Sequence, residues 1–233
     1  MHRRSTAVVV LALDGVLVGS CRSAAQPPTL EEAVRKLVSA TYADGFPYDE
    51  ARKLGPQAES ILLQLVDRQD MKPFRSNIVV TLGILGSAQA AKRIITIIET
   101  GTGDLPPDEV QTRMDAVVAL GYAANVGADA TAINYLLAGA DVAHWTPPRI
   151  TWTLPGGGSP AVRLRTRAIS ALGLSGNADA HQKLLQLQKS GGGGGRGGAP
   201  SREQELIAES ITTNEYVAQN GLIKYYETHA RRF

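Results

Sequence analysis

The sequence predicts an all-α protein built of stacked helical hairpins, and three observations carry that expectation. One phrase recurs, as RSNIVVTLG from Arg75, RMDAVVALG from Arg113 and RTRAISALG from Arg165, each with Arg eight residues before Gly and apolar residues at helical spacing. The stretches beginning at Arg75 and Arg165 align without a gap, so that Gly83, Gly86, Ala88, Ala90, Ile94 and Ile95 fall opposite Gly173, Gly176, Ala178, Ala180, Leu184 and Leu185. The 233 residues are 43% hydrophobic but only 5% aromatic, with Ala and Gly plentiful, a balance that suits closely packed helices in one domain or one short repeat array.

The elements follow in order. Residues 1–20 read as a secretory signal peptide, with Arg3 and Arg4 ahead of an apolar run from Ala7 to Val18 that only Asp14 and Gly15 interrupt. Val18-Gly19-Ser20-Cys21 resembles a bacterial lipobox, which implies cleavage before Cys21, acylation of its thiol and a tether over 21–28. Ser23-Ala24-Ala25 offers a second cleavage route that would release a soluble chain without Cys21. As the single cysteine, Cys21 excludes an internal disulfide and a cysteine-based structural metal site.

Thr29 with Glu32 forms a capping box and starts the first helix, which ADGFP at 43–47 ends. A short helix from Tyr48 and another carrying Ile61, Leu62, Leu65 and Val66 complete the first unit. The second unit, 72–100, is expected to turn at Gly83 and Gly86, both with positive φ near the helix end. The third covers 108–140 with a longer turn after Gly121, and the fourth covers 160–189. A Gly-rich linker, 191–200, leads to a C-terminal helical segment, 201–233, which Ser201 and Gln204 start and which packs back through Leu206, Ile207, Ile211, Val217, Leu222 and Ile223. The helix at 30–40 and the one from Ser201 are the expected caps, because the outermost units of a stack need a polar outer face.

The Arg–apolar–Ala-Leu-Gly helix, short Gly turn and second amphipathic helix are similar to HEAT repeats over roughly residues 47–190. The resemblance implies a right-handed α-solenoid of about four hairpins within 29–190, whose usual work is to bind other proteins. The step from Arg113 to Arg165 exceeds the step from Arg75 to Arg113 because of an insertion at 142–160.

That insertion carries both tryptophans, Trp145 and Trp152, together with His144 and Arg149. Trp and Arg are enriched at binding hot spots, so one reading is a protruding recognition loop. The other is a loop whose tryptophans cover the open side of the fourth unit. ITWTL, at 150–154, alternates like a short strand. Arg163 and Arg167, one turn apart and with Arg149 near, suit a carboxylate or phosphate, or form a solvated basic face. Arg75, Arg113 and Arg165 read as framework residues that bond turn carbonyls or pair between units. The acidic pairs Glu31-Glu32, Asp49-Glu50 and Asp108-Glu109 begin helices and complement their dipoles.

No convergent set of titratable residues is visible. The histidines lack metal-ligand spacing, no GxSxG nucleophile motif occurs, and GGGGGRGG lacks the Lys-Ser/Thr of a phosphate loop. The expectation is therefore a non-enzymatic, exported scaffold for a protein or peptide at the cell envelope, without cofactor or metal, touching the membrane only through Cys21. Some HEAT-like proteins resemble bilin lyases, which leaves a lyase or lyase accessory as an alternative. Nucleic-acid binding by an α-solenoid is the third reading, which the net charge of +2 disfavours.

Overall fold

The computed structural model describes residues 28–42, 45–127, 130–191 and 200–229. The expected signal segment, Cys21, most of the expected tether and most of the Gly-rich stretch lie outside these. The described chain is predominantly helical. Its helices are α1 (Leu30–Ser39), α2 (Tyr48–Lys53), α3 (Ala58–Leu65), α4 (Arg75–Leu85), α5 (Ala88–Glu99), α6 (Pro107–Val126), α7 (Thr131–Gly139), α8 (Ala161–Ser175), α9 (Ala178–Gly191) and α10 (Arg202–His229).

Local chemistry sets most boundaries. Thr29 and Glu32 exchange side-chain and backbone hydrogen bonds at the start of α1. Ser201 and Gln204 do the same ahead of α10. Gly86, Gly127 and Gly176 end α4, α6 and α8 in the left-handed conformation, where the absence of Cβ removes the penalty on positive φ. The turn of the third unit comes late because α6 continues past Gly121 to Val126.

The helices that carry the repeated phrase, α4, α6 and α8, stack in sequence order, and α10 adds a fourth layer to the same row. The helices α5, α7 and α9 pack behind this row and touch one another less than the row's own members do. The recurring glycine explains the difference. A Cβ on Gly83 would stand 2.3 Å from the Ala119 carbonyl oxygen, one on Gly121 2.6 Å from that of Ala171, and one on Gly173 3.0 Å from that of Ser210. Each Gly is the point where one helix of the row crosses the backbone of the next. The expected turn and positive φ at Gly83 are therefore corrected: Gly83 and Gly121 both lie inside helices, and close approach rather than a turn demands them. The last helix of the row, α10, has exposed Thr212 at the position that aligns with those glycines, and among the described residues no further helix packs there.

The recurring Arg has an equally regular task. Arg75 donates Nε to the Val66 carbonyl (3.0 Å), Arg113 donates Nε and a terminal nitrogen to Thr100 (3.2 and 2.7 Å), and Arg165 donates Nε to Ala140 (2.8 Å). Val66, Thr100 and Ala140 are the C-caps of α3, α5 and α7, so each Arg closes the open carbonyl end of the helix before it. Two of them also reach forward to the next layer, Arg75 to Glu109 (2.8 Å) and Arg165 to Glu203 (2.9 Å). Glu109 is shared with Arg113 and Lys72. Burial would raise its carboxyl, but the three cations outweigh that and hold it below the ordinary carboxylate range.

The insertion is sewn into the body. Strand β1 (Thr102–Asp104) pairs in parallel with β2 (Thr151–Thr153), Gly103 opposite Trp152, which matches the alternation seen in ITWTL. Most buried apolar residues form one core between the two helix rows. A second, smaller cluster lies on the outward side of the α4–α6–α8 row, where Ile84, Tyr122 and Leu174 meet Leu37 and Tyr48 from the N-terminal elements and Leu222, Tyr225 and Tyr226 from the C-terminus. It exists because α10 breaks at Gly221 (φ 79°, ψ 164°), which turns the arm at 222–229 back across the row.

Candidate functional site

The sequence points first to Trp145 and Trp152, and both are buried at 1% exposure. Trp145 Nε1 donates to the Gly139 carbonyl (2.6 Å), and Trp152 Nε1 donates to that of Ile98 (2.8 Å). A Cβ on Gly139 would lie 2.5 Å from the Trp145 ring, so Gly139 is what admits the indole. Arg113 sits over Trp152, 5.6 Å from the ring centroid. With rings buried and N–H groups satisfied, neither tryptophan is offered to a partner, and the protruding-loop reading gives way to the packing one.

Arg149 is exposed but engaged: it pairs with Glu99 (2.6 Å) and lies 6.0 Å from the centre of the Tyr135 ring. Tyr135 contacts His144 and Trp145 edge-on. Burial, then the nearby Arg149, holds His144 below the usual imidazole range. The three arginines Arg149, Arg163 and Arg167 are not brought together, since Arg149 turns to α5 and α7. Arg163 and Arg167 stay exposed on α8, flanked by exposed Thr166 and by Val162 at 66% exposure.

Arg167 borders a site that the sequence alone did not assemble. The outward stripe of α6 runs Gln111, Asp115, Val118, Tyr122 at helical spacing. Asp115 accepts hydrogen bonds from Ser76 Oγ of α4 and from Gln111 Nε2 (2.8 Å). Burial raises its carboxyl, and the two hydrogen bonds and the Arg167 charge only partly offset that. On α4, Asn77 donates to the carbonyls of Val38 (2.9 Å) and Ala40 (3.1 Å), fastening the end of α1 beside this face.

At the Tyr122 end the face drops into a crevice of about 500 Å³. The N-terminal segment supplies Phe46, Tyr48, Asp49 and Glu50, and the returning arm of α10 supplies Ile223, Tyr226 and Glu227. Tyr48 stacks on Tyr226 (5.4 Å between centroids, 28°) and meets Tyr122 at 60°. The Tyr122 and Tyr226 hydroxyls share a hydrogen bond of 2.5 Å. Burial pushes the Tyr122 phenol up to about 12 and raises that of Tyr226 further, so both stay neutral and hydrogen-bonded across the physiological range. One clue to this site was present in the sequence: Tyr122 occupies the position that Ile84 and Leu174 fill in the neighbouring units.

No family model, no curated protein and no solved structure matches this chain. Among the described residues, no helix is long and apolar enough to cross a membrane.

Proposed function

We propose that this chain is a HEAT-like, right-handed α-solenoid of about four hairpins, exported and held at the cell envelope through Cys21, that binds a segment of another protein along the outward face of α4, α6 and α8. The role is binding rather than catalysis. Support for the repeat reading comes from the two recurring devices, the Arg that closes the preceding helix and the Gly at the crossing with the next layer. Close crossings in one row and looser contact in the row behind it bend such a stack toward the first row, which gives its outward face the inner side of the curve.

One observation carries the choice of face. It combines an uncovered basic pair, a half-buried polar step at Ser76–Asp115 and an apolar crevice within one continuous surface, whereas the Trp insertion is used up in packing. Exposed Arg163 and Arg167 suit a carboxylate of the bound segment. The test is capture from the native envelope with the full-length protein, comparing wild type with Arg163→Glu plus Arg167→Glu. A partner recovered by wild type and lost by the variant supports the reading; equal recovery by both removes these arginines from it. Intact mass of the membrane-extracted protein tests the anchor: a diacylated chain beginning at Cys21 is expected, and a mature chain beginning at Gln26 would exclude it.

A further inference from the structure

We infer that the crevice at Tyr122 receives the guanidinium or ammonium end of one Arg or Lys side chain of the bound polypeptide; this rests on the reading above and names what the recognised segment must contain. The walls are aromatic, with Phe46 and three mutually packed tyrosine rings whose π faces attract cations. The rim is acidic: Asp49, Glu50 and Glu227 line it, and among the described residues no cationic side chain does. Lys224 pairs with Glu227 (2.9 Å), whereas Asp49 and Glu50 have no ion-pair partner among the described residues. Asp49 and Glu50 also complement the start of α2, but that role asks for no aromatic wall in front of them. Ile223, 47% exposed at the mouth, supplies an apolar surface for the methylene stem of such a side chain.

The stripe on α6 adds a spacing rule. From Asp115 to Tyr122 is seven residues of helix, about 10 Å. An extended peptide covers that distance in about three residues. A basic residue in the crevice thus brings a residue about three positions away to the Arg167 end of the face, where an acidic side chain fits. The recognised segment has a cation and an anion about three residues apart.

The experiment is an NMR titration of the isotope-labelled full chain with the peptide acetyl-Ser-Arg-Gly-Ser-Glu-Gly-amide and with its Arg-to-Gln counterpart. The expected result is that the Arg peptide shifts the resonances of Tyr122, Tyr226 and Ile223, and that the Gln peptide binds about tenfold more weakly. The surface variant Asp49→Asn plus Glu50→Gln is expected to bring the Arg peptide down to the Gln level with the spectrum of the folded chain retained. If both peptides bind equally and shift only residues near Asp115 and Arg167, the face binds polypeptide but the crevice assignment is overturned. If neither peptide shifts any resonance of the face, both the crevice and the binding face are refuted.

Discussion

Two aromatic clusters in this molecule look alike in composition and differ in use. Trp145, Trp152, Tyr135 and His144 lie in and beside the insertion, with both indoles satisfied by backbone carbonyls and sealed in the main core. Tyr48, Tyr122 and Tyr226 come from three distant parts of the chain and line an open crevice on the other side of the α4–α6–α8 row. The lesson is that residue type does not mark a binding site. An aromatic ring whose faces are covered by the core is mortar, and the same chemistry at the edge of a cavity is available to a partner.

The comparison can be broken first at the helix row that separates the clusters. Gly121→Val forces a side chain into the Ala171 backbone and is expected to cost about 3 kcal/mol or more, read as a lowered urea midpoint. A melt like wild type would show that the crossing is looser than described. Next comes the structural cluster itself. Trp145→Ala should cost about 3–5 kcal/mol, and any refolded protein should still bind the Arg peptide with wild-type affinity, because the indole touches no part of the crevice.

The framework beneath both clusters gives a pH-dependent prediction. Glu109 titrates below the ordinary carboxyl range, so its contribution is complete above about pH 4.5 and is lost as the pH falls through its folded value. Glu109→Gln should cost about 2 kcal/mol at neutral pH, chiefly by leaving Arg113, whose side chain is 8% exposed, without its carboxylate. The difference from wild type should shrink in acid; a difference that stays constant to pH 3 would contradict this account. The smallest effect belongs to the open cluster. Tyr226→Phe removes one hydrogen bond to Tyr122 and should cost about 1 kcal/mol while keeping the ring that walls the crevice.

Much of the scaffold was legible because it rests on local chemistry. Capping boxes, the left-handed glycine at Gly86 and apolar periodicity act within a few residues of where they are read. The framework role of Arg75, Arg113 and Arg165 was legible because a repeated residue at a fixed offset needs a repeated partner. The meaning of Gly83 and Gly121 was not, because Leu-Gly at the end of an apolar stripe has the same local signature as a helix cap. Only the neighbouring backbone shows that the helix continues. The tryptophans misled for a related reason: hot-spot composition says nothing about whether Gly139 has cleared a socket for the ring. The crevice stayed hidden because Tyr48, Tyr122 and Tyr226 meet only when α10 breaks at Gly221 and its arm returns, an event set by tertiary packing.

The central claim is that recognition lies on the outward face of the α4–α6–α8 row and not in the Trp insertion. The most direct test is hydrogen–deuterium exchange of the full chain with and without the partner recovered by envelope capture. The account predicts new protection in 111–122, 163–170 and 222–227 with 142–160 unchanged. Protection confined to 142–160, with the row and the returning arm unaffected, would contradict it.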